Sequence, residues 1–202
     1  MSEQLKSKTT LGLELPTDPR WVNMTEKSLE EILTDHAYCE QKAATSCISL
    51  VAMYPELDML IDEVMPVVTE EWGHFRLVVA ELRKRNLTLG RQRKDIYVRE
   101  VLKFQKKGGT YQDRLLEKLL TCALIEARSC ERFRLLSLNL QDPNLREFYH
   151  CFMVSEAGHY KMFLKLAKHY NGEEETLTRW QEYLDFEAKL MKSMDPDGTR
   201  IH

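Results

Sequence analysis

Glu71 and His74 stand three residues apart in VTEEWGHFRLVVAELRKR, a stretch whose apolar residues otherwise recur at helical spacing. Glu156 and His159 repeat the pattern in FMVSEAGHYKMFLKL. Residues three apart share one helix face. Each motif therefore turns a carboxylate and an imidazole toward the side of the helix that should be core. A charged group buried there without a partner costs several kcal/mol. Such a chain folds stably only if other groups, or ions, meet those side chains.

The surrounding pattern says what could meet them. Gly and Pro are scarce, 8 and 6 of 202 residues, and most fall at the ends of periodic runs, which predicts a nearly all-helical protein. Residues 1–24 read as an extended arm lying on the body. Ser28 with Glu31 resembles a capping box, opening a helix that runs to Tyr54. Pro55 starts a second helix, to Asn86, which Pro66 should kink or split. LTLGRQRK, residues 87–94, is a loop, and DIYVREVLKFQKK is a short basic helix closed by Gly108-Gly109. Thr110 and Asp113 open the next helix, to Asn139; Asp142-Pro143 is an N-cap and N1 pair for another, to Tyr170. An amphipathic helix over 174–193 and a loose tail over 194–202 complete the chain.

Four of these helices are long. They form two tight hairpins joined by the long basic crossover, residues 87–109. The expected fold class is all-α: a ferritin-like four-helix bundle, with a short crossover helix and a C-terminal helix, in a single domain spanning 1–202. In an antiparallel hairpin, residues equidistant from the turn lie at one level. The turn at Pro55–Glu56 sets Glu40 opposite Glu71, and the turn at Gln141 sets Glu126 opposite Glu156. Each hairpin thus offers one carboxylate plus one Glu-x-x-His, and the two halves bring Glu40, Glu71, His74, Glu126, Glu156 and His159 together. That is the ligand set of di-iron and di-manganese carboxylate bundles. Bridging carboxylates supply the negative charge that two close divalent ions need, and imidazole suits iron.

A third Glu-x-x-His, Glu147 and His150, does not belong to the set. It precedes Glu156 by nine residues, roughly 900° of helix, and so faces the opposite way. It reads as a solvated surface pair. Ala43, Cys47, Cys122, Phe133, Phe152 and Phe163 form an apolar stripe that could line a dry pocket beside the metals. His36 lies one turn before Glu40, as a hydrogen-bonded core histidine or a partner of that carboxylate. The five cysteines, at 39, 47, 122, 130 and 151, include no CxxC, and each lies inside a helical pattern. They read as buried reduced thiols of a cytoplasmic protein. No run reaches the ~18 apolar residues of a membrane span, and MSEQLKSKTT has no apolar core of a signal peptide.

Charge is unevenly placed. Between Arg76 and Lys107 there are eleven basic residues and three acids, a balance of +8 in a chain of net charge −3, which leaves −11 for the remainder. A local positive field on an acidic body points to a polyanionic partner.

DHAYCEQKAATSC around Glu40, EEWGHF around Glu71, LIEARSCERF around Glu126 and SEAGHYKMF around Glu156, with the LTLGRQRKD loop, resemble the bacterial MiaE family over nearly the whole chain. These are tRNA 2-methylthio-isopentenyladenosine hydroxylases. The resemblance implies a non-haem di-iron monooxygenase with two iron ions as cofactor and O2 as co-substrate. One oxygen atom would enter the isopentenyl group of a modified adenosine beside the tRNA anticodon. It carries the six ligands onto the six positions found above. It implies an anticodon stem-loop as partner and an electron donor such as a ferredoxin with its reductase, with no membrane. The expected state is a monomer. The basic segment then becomes the tRNA surface, with Arg83, Lys84, Arg85, Arg91, Arg93, Lys94, Lys103, Lys106 and Lys107 as contacts, and Tyr97 and Phe104 as aromatic platforms for an extruded base. The competing readings are an iron-storing or ferroxidase bundle and a peroxide-scavenging di-metal protein.

Overall fold

A computed structural model describes residues 10–202. Among these there are seven α-helices and no strand: α1 (Arg20–Lys27), α2 (Leu29–Met53), α3 (Asp58–Lys84), α4 (Ile96–Phe104), α5 (Tyr111–Asn139), α6 (Pro143–Asn171) and α7 (Glu173–Ser193). α2 pairs with α3 and α5 with α6, and the hairpins meet through α3 and α6. This is the ferritin-like bundle. α4 lies on the crossover, and α7 packs against α4, α5 and α6.

Local chemistry sets most helix ends. Thr110 and Asp113 form a reciprocal capping box at the start of α5, and the Asp142 side chain accepts from the Asn144 amide at the start of α6. Asp95 caps α4 by accepting from Val98 N–H. Gly172, at φ 82°, closes α6 in a conformation that disfavours a side chain.

Three local expectations need correction, and of the two outcomes expected at Pro66 the split is absent. The arm over 1–24 is not wholly extended: α1 begins within it at Arg20, while residues 1–9 lie outside the described residues. Ser28 caps nothing with its side chain; its backbone joins α1 to α2, accepting from Glu31 and Ile32 amides. Pro55 sits in the turn, where the Leu57 amide donates to the Tyr54 carbonyl, and α3 starts at Asp58. Pro66 does not split α3. Its ring is exposed, and the carbonyl of exposed Asp62 one turn back can tilt toward water.

The tail over 194–202 is not loose. Ile201 and His202 are buried. The Ile201 amide donates to Asp35 at 2.8 Å, Arg132 donates to the Ile201 carbonyl at 2.6 Å, and Trp21 Nε1 donates to the Asp197 carbonyl at 3.0 Å. A short polar sequence gave no hint of partners supplied by α1, α2 and α5.

The core is in two parts. Leu60, Val64, Leu119, Leu120 and Leu166 lie in one apolar cluster, toward the Pro55 turn. Ile32, Leu33, Val78, Leu82 and Phe133 lie in the other, toward the Asp142 turn. On α2, α3 and α6 the carboxylate and imidazole residues fall between the two clusters, and on α5 Glu126 lies at the edge of the first, so a polar layer is enclosed on both sides.

Candidate metal centre

α2, α3, α5 and α6 each bring one or two of these side chains into that layer. Glu40, Glu71, Glu126, Glu156 and His159 are buried, and the His74 side chain is only 12 % exposed. Two groups of ligand atoms converge, each within 4.8 Å: Glu40, Glu71, His74 and Glu156, and Glu71, Glu126, Glu156 and His159. The groups share Glu71 and Glu156. Each therefore has one carboxylate and one imidazole of its own, plus two common carboxylates. Glu147 and His150 are exposed, away from the layer, as their helical angle required.

Fine geometry suits a pair of cations. His159 Nδ1 lies 2.7 Å from Glu71 Oε1, and His74 Nδ1 lies 3.3 Å from Glu40 Oε2. Yet both Nδ1 atoms, both Glu71 oxygens and Glu156 Oε1 are buried with no partner in hydrogen-bond alignment. Buried polar atoms are normally satisfied. Orphans that all face one small volume are what a metal-ligating set looks like. Electrostatics agrees. Burial, then the charges of Glu71 and Glu156, push Glu40 well above the ordinary carboxylate range, and burial with Glu156 does the same to Glu126. Burial acts the same way on Glu71, but His159 and His74 outweigh it and hold its carboxyl low. Burial opposes the His159 imidazolium, and Glu156 and Glu71 nonetheless hold it up to about 11. Four crowded carboxylates repel one another, and two divalent ions would neutralise them. Oxygen-rich sites with imidazole fit iron or manganese.

Sequence reasoning singled out one of the two residues that orient this set, His36, and overlooked the other, Glu70. Glu70, adjacent to Glu71 and half exposed, reaches the outer nitrogens of both histidines, His159 Nε2 at 3.2 Å and His74 Nε2 at 3.9 Å, and Ser155 Oγ donates to it. Carboxylates behind histidines fix their orientation. The signal was readable: Glu70 is four residues before His74. His36 is wholly buried, with Nε2 2.8 Å from Glu40 Oε1, and is wedged among Phe133, Phe148, Tyr149 and Phe152. Burial keeps its imidazole far below the ordinary value, hence neutral.

A pocket of about 70 Å³ reaches the carboxylates between α2 and α5. Ala43, Cys47, Cys122, Ile125 and Phe163 make its apolar side, and Lys42, Ser129 and His202 its polar side. A cleft of about 840 Å³ beside Gly108–Gly109 and Glu173–Glu175 touches none of the six. Cys39, Cys47 and Cys130 are buried free thiols and Cys122 is half-buried; Cys151 is exposed, correcting the expectation that all five are internal.

The proposed tRNA contacts divide. Arg85 bridges Glu81 and Asp142, both at 2.6 Å, and Arg93 donates to the Thr199 hydroxyl at 3.0 Å. These two hold the fold together. Lys84 pairs with Glu81 at 3.5 Å, Lys103 with Glu100 at 2.8 Å and Lys106 with Glu182 at 3.4 Å. Arg83, Arg91, Lys94 and Lys107 are exposed and pair with no acid among the described residues. The aromatic platforms fail: Tyr97 is fully buried with its hydroxyl on Glu187, and Phe104 stacks on Phe186 at 4.2 Å.

Comparison with known proteins gives the chain a family. The family model described as tRNA-(ms2io6A)-hydroxylase (MiaE) matches residues 4–202. A Pseudomonas putida protein named tRNA 2-(methylsulfanyl)-N(6)-isopentenyladenosine(37) hydroxylase is 34 % identical over 94 % of this chain and 91 % of its own length. A Salmonella typhimurium protein of the same name is 29 % identical over 98 % of this chain and 90 % of its own. A solved structure titled protein 43 with aldehyde deformylating oxygenase activity, from Synechococcus, superposes with a TM-score of 0.88 at 31 % identity, covering 94 % of both chains. With the family model spanning almost every residue, the chain belongs to the MiaE family of tRNA hydroxylases.

Proposed function

We propose that this protein is an O2-dependent di-iron hydroxylase acting on the isopentenyl group of 2-methylthio-isopentenyladenosine beside the tRNA anticodon. The observation that carries this is the pair of four-residue groups sharing Glu71 and Glu156, in a chain of this family. Glu40, Glu71, His74, Glu126, Glu156 and His159 would hold two iron ions, which when bound supply the reduction of O2 and the attack on a C–H bond. Metal binding requires a neutral imidazole, so His159 must give up the proton that Glu156 and Glu71 favour. Glu70 and His36 keep the ligands aimed from behind. Ala43, Cys47, Ile125 and Phe163 would seat the apolar isopentenyl arm and exclude water.

The anticodon stem-loop would be held by Arg83, Arg91, Lys94 and Lys107, with phosphates positioning and the pocket specifying. Lys84, Lys103 and Lys106 are each already paired with an acid and would add less. A ferredoxin-type donor would supply electrons. A monomer suits α7, which covers the bundle face formed by α5 and α6; light scattering at a single-chain mass checks it. The Synechococcus neighbour's title names a different oxygenase activity, so this bundle does not by itself dictate the substrate.

Nucleoside mass spectrometry tests the reading. Protein loaded with Fe(II) is given a reductant, labelled O2 and tRNA carrying the isopentenyl modification. The expected product is the modified adenosine heavier by one labelled oxygen. Two bound irons with unaltered nucleoside would sink the substrate assignment and leave the metal centre standing.

A further inference from the structure

At about 70 Å³ the pocket on the carboxylates has room for roughly two waters. Sites for ligands the size of a prenylated purine run to roughly 300–1,000 Å³. A second cleft of about 790 Å³ lies between residues 15–21, the start of α4 and the tail. His202 lines both. Its Nε2 is 2.8 Å from Ser129 Oγ, its Nδ1 is 3.7 Å from Cys39 Sγ and 3.6 Å from Asp95, and its ring stacks on Tyr97 at 5.3 Å. His202 is the one residue common to the two linings, so its imidazole, on a short strap, stands between the small pocket and the large cleft.

What holds the strap is local and polar. Arg93, on the crossover loop, donates to the Thr199 hydroxyl and carbonyl, Arg200 pairs with Asp35 at 2.9 Å, and Arg132 donates to the carbonyls of Arg200 and Ile201. Only Ile201 contributes a buried apolar side chain, so the strap can detach without opening the bundle.

We propose that residues 195–202 form a strap whose withdrawal moves His202 and merges pocket and cleft into the site that admits the prenylated adenosine. The adenosine half of this rests on the hydroxylase reading; the strap half does not. Arg93 joins the strap to the crossover, so the segment read as the tRNA surface also holds the partition shut.

Cys39, on the pocket side of His202, reports the opening in metal-free protein without any turnover. Iodoacetamide labelling followed by peptide mass spectrometry should find Cys39 slow and exposed Cys151 fast. Arg93→Ala should speed Cys39 roughly tenfold through local opening while buried Cys130 stays slow. His202→Ala should speed it as much, and adding Arg93→Ala to that variant should add nothing. Isopentenyladenosine should then protect Cys39 in Arg93→Ala, and plain adenosine should not. No change at Cys39, or Cys130 rising in parallel, overturns the strap. Opening without protection overturns the merged site. Neither result touches the hydroxylation assay, whose own failure would leave the strap intact.

Discussion

At the residue scale, placing two carboxylates in common between two ligand groups decides what each substitution should do. Glu126 serves one group, and Glu71 and Glu156 serve both. Glu126→Ala should leave a chain that no longer holds two ions, and Glu71→Ala should hold neither tightly. Metal analysis after equilibration with Fe(II) or Co(II) gives the stoichiometry. Full occupancy in Glu126→Ala would remove it from the ligand set. The six positions were legible because helical spacing and hairpin symmetry are properties of the sequence alone. Glu70 was not singled out, because an exposed glutamate four residues before a histidine is common, and only the approach of α6 gives it a second histidine and Ser155.

At the scale of elements, ARSCERF on α5 works as a clamp. Arg128, fully buried, pairs with Glu131 at 2.7 Å and with Glu187 of α7 at 2.7 Å, and donates to the Leu15 carbonyl at 2.9 Å. Glu131 in turn accepts from the amide and hydroxyl of Thr17. One guanidinium ties α5 to α7 and to the segment before α1. Arg128→Ala should cost about 3–5 kcal/mol, since it strands two buried carboxylates. Urea unfolding of wild type and variant measures it, and a loss under about 1 kcal/mol would mean that the pairs are surface-like. The sequence marked these residues only as a family signature. Apart from the Arg128–Glu131 pair itself, three residues apart, their partners lie 59 to 114 residues away, beyond the reach of any local pattern.

At the scale of the whole molecule, two predictions concern charge. Glu40 and Glu126 have folded-state values raised above the ordinary 4.5, and His159 lies above its ordinary 6.5. A raised group stabilises the fold below its unfolded value and loses that contribution as pH rises toward the folded one. His36, held below its ordinary 6.5, gains stability over the same interval but is one group against three, so metal-free protein should melt at lower temperature at about pH 8 than at about pH 5, and a divalent ion should reverse the trend. Calorimetry with and without Co(II) checks the sign; a metal-free protein that gains stability over that interval contradicts it. The second prediction concerns RNA. Reversing Arg91, Lys94 and Lys107 to Glu should weaken anticodon stem-loop binding and spare metal binding. The slope of log K against log salt should flatten by roughly 0.7–0.9 for each phosphate that is no longer neutralised. Unchanged affinity at physiological salt would move the surface elsewhere.

The sequence by itself determined the four long helices, the hairpin turns, the crossover and the level at which six polar side chains meet. All of these follow from short-range periodicity, capping chemistry and the symmetry of an antiparallel turn. Tertiary structure alone decided which cations pair with acids among the described residues, that Tyr97 is buried, and that Ile201 and His202 pack into the body instead of trailing from it. Arg93 and Arg91 look alike in sequence, and only the proximity of Thr199, the Glu31 carbonyl and Asp35 separates them. Such distinctions depend on partners distant in the chain, and a side chain's charge or aromaticity says nothing of what the fold will set against it.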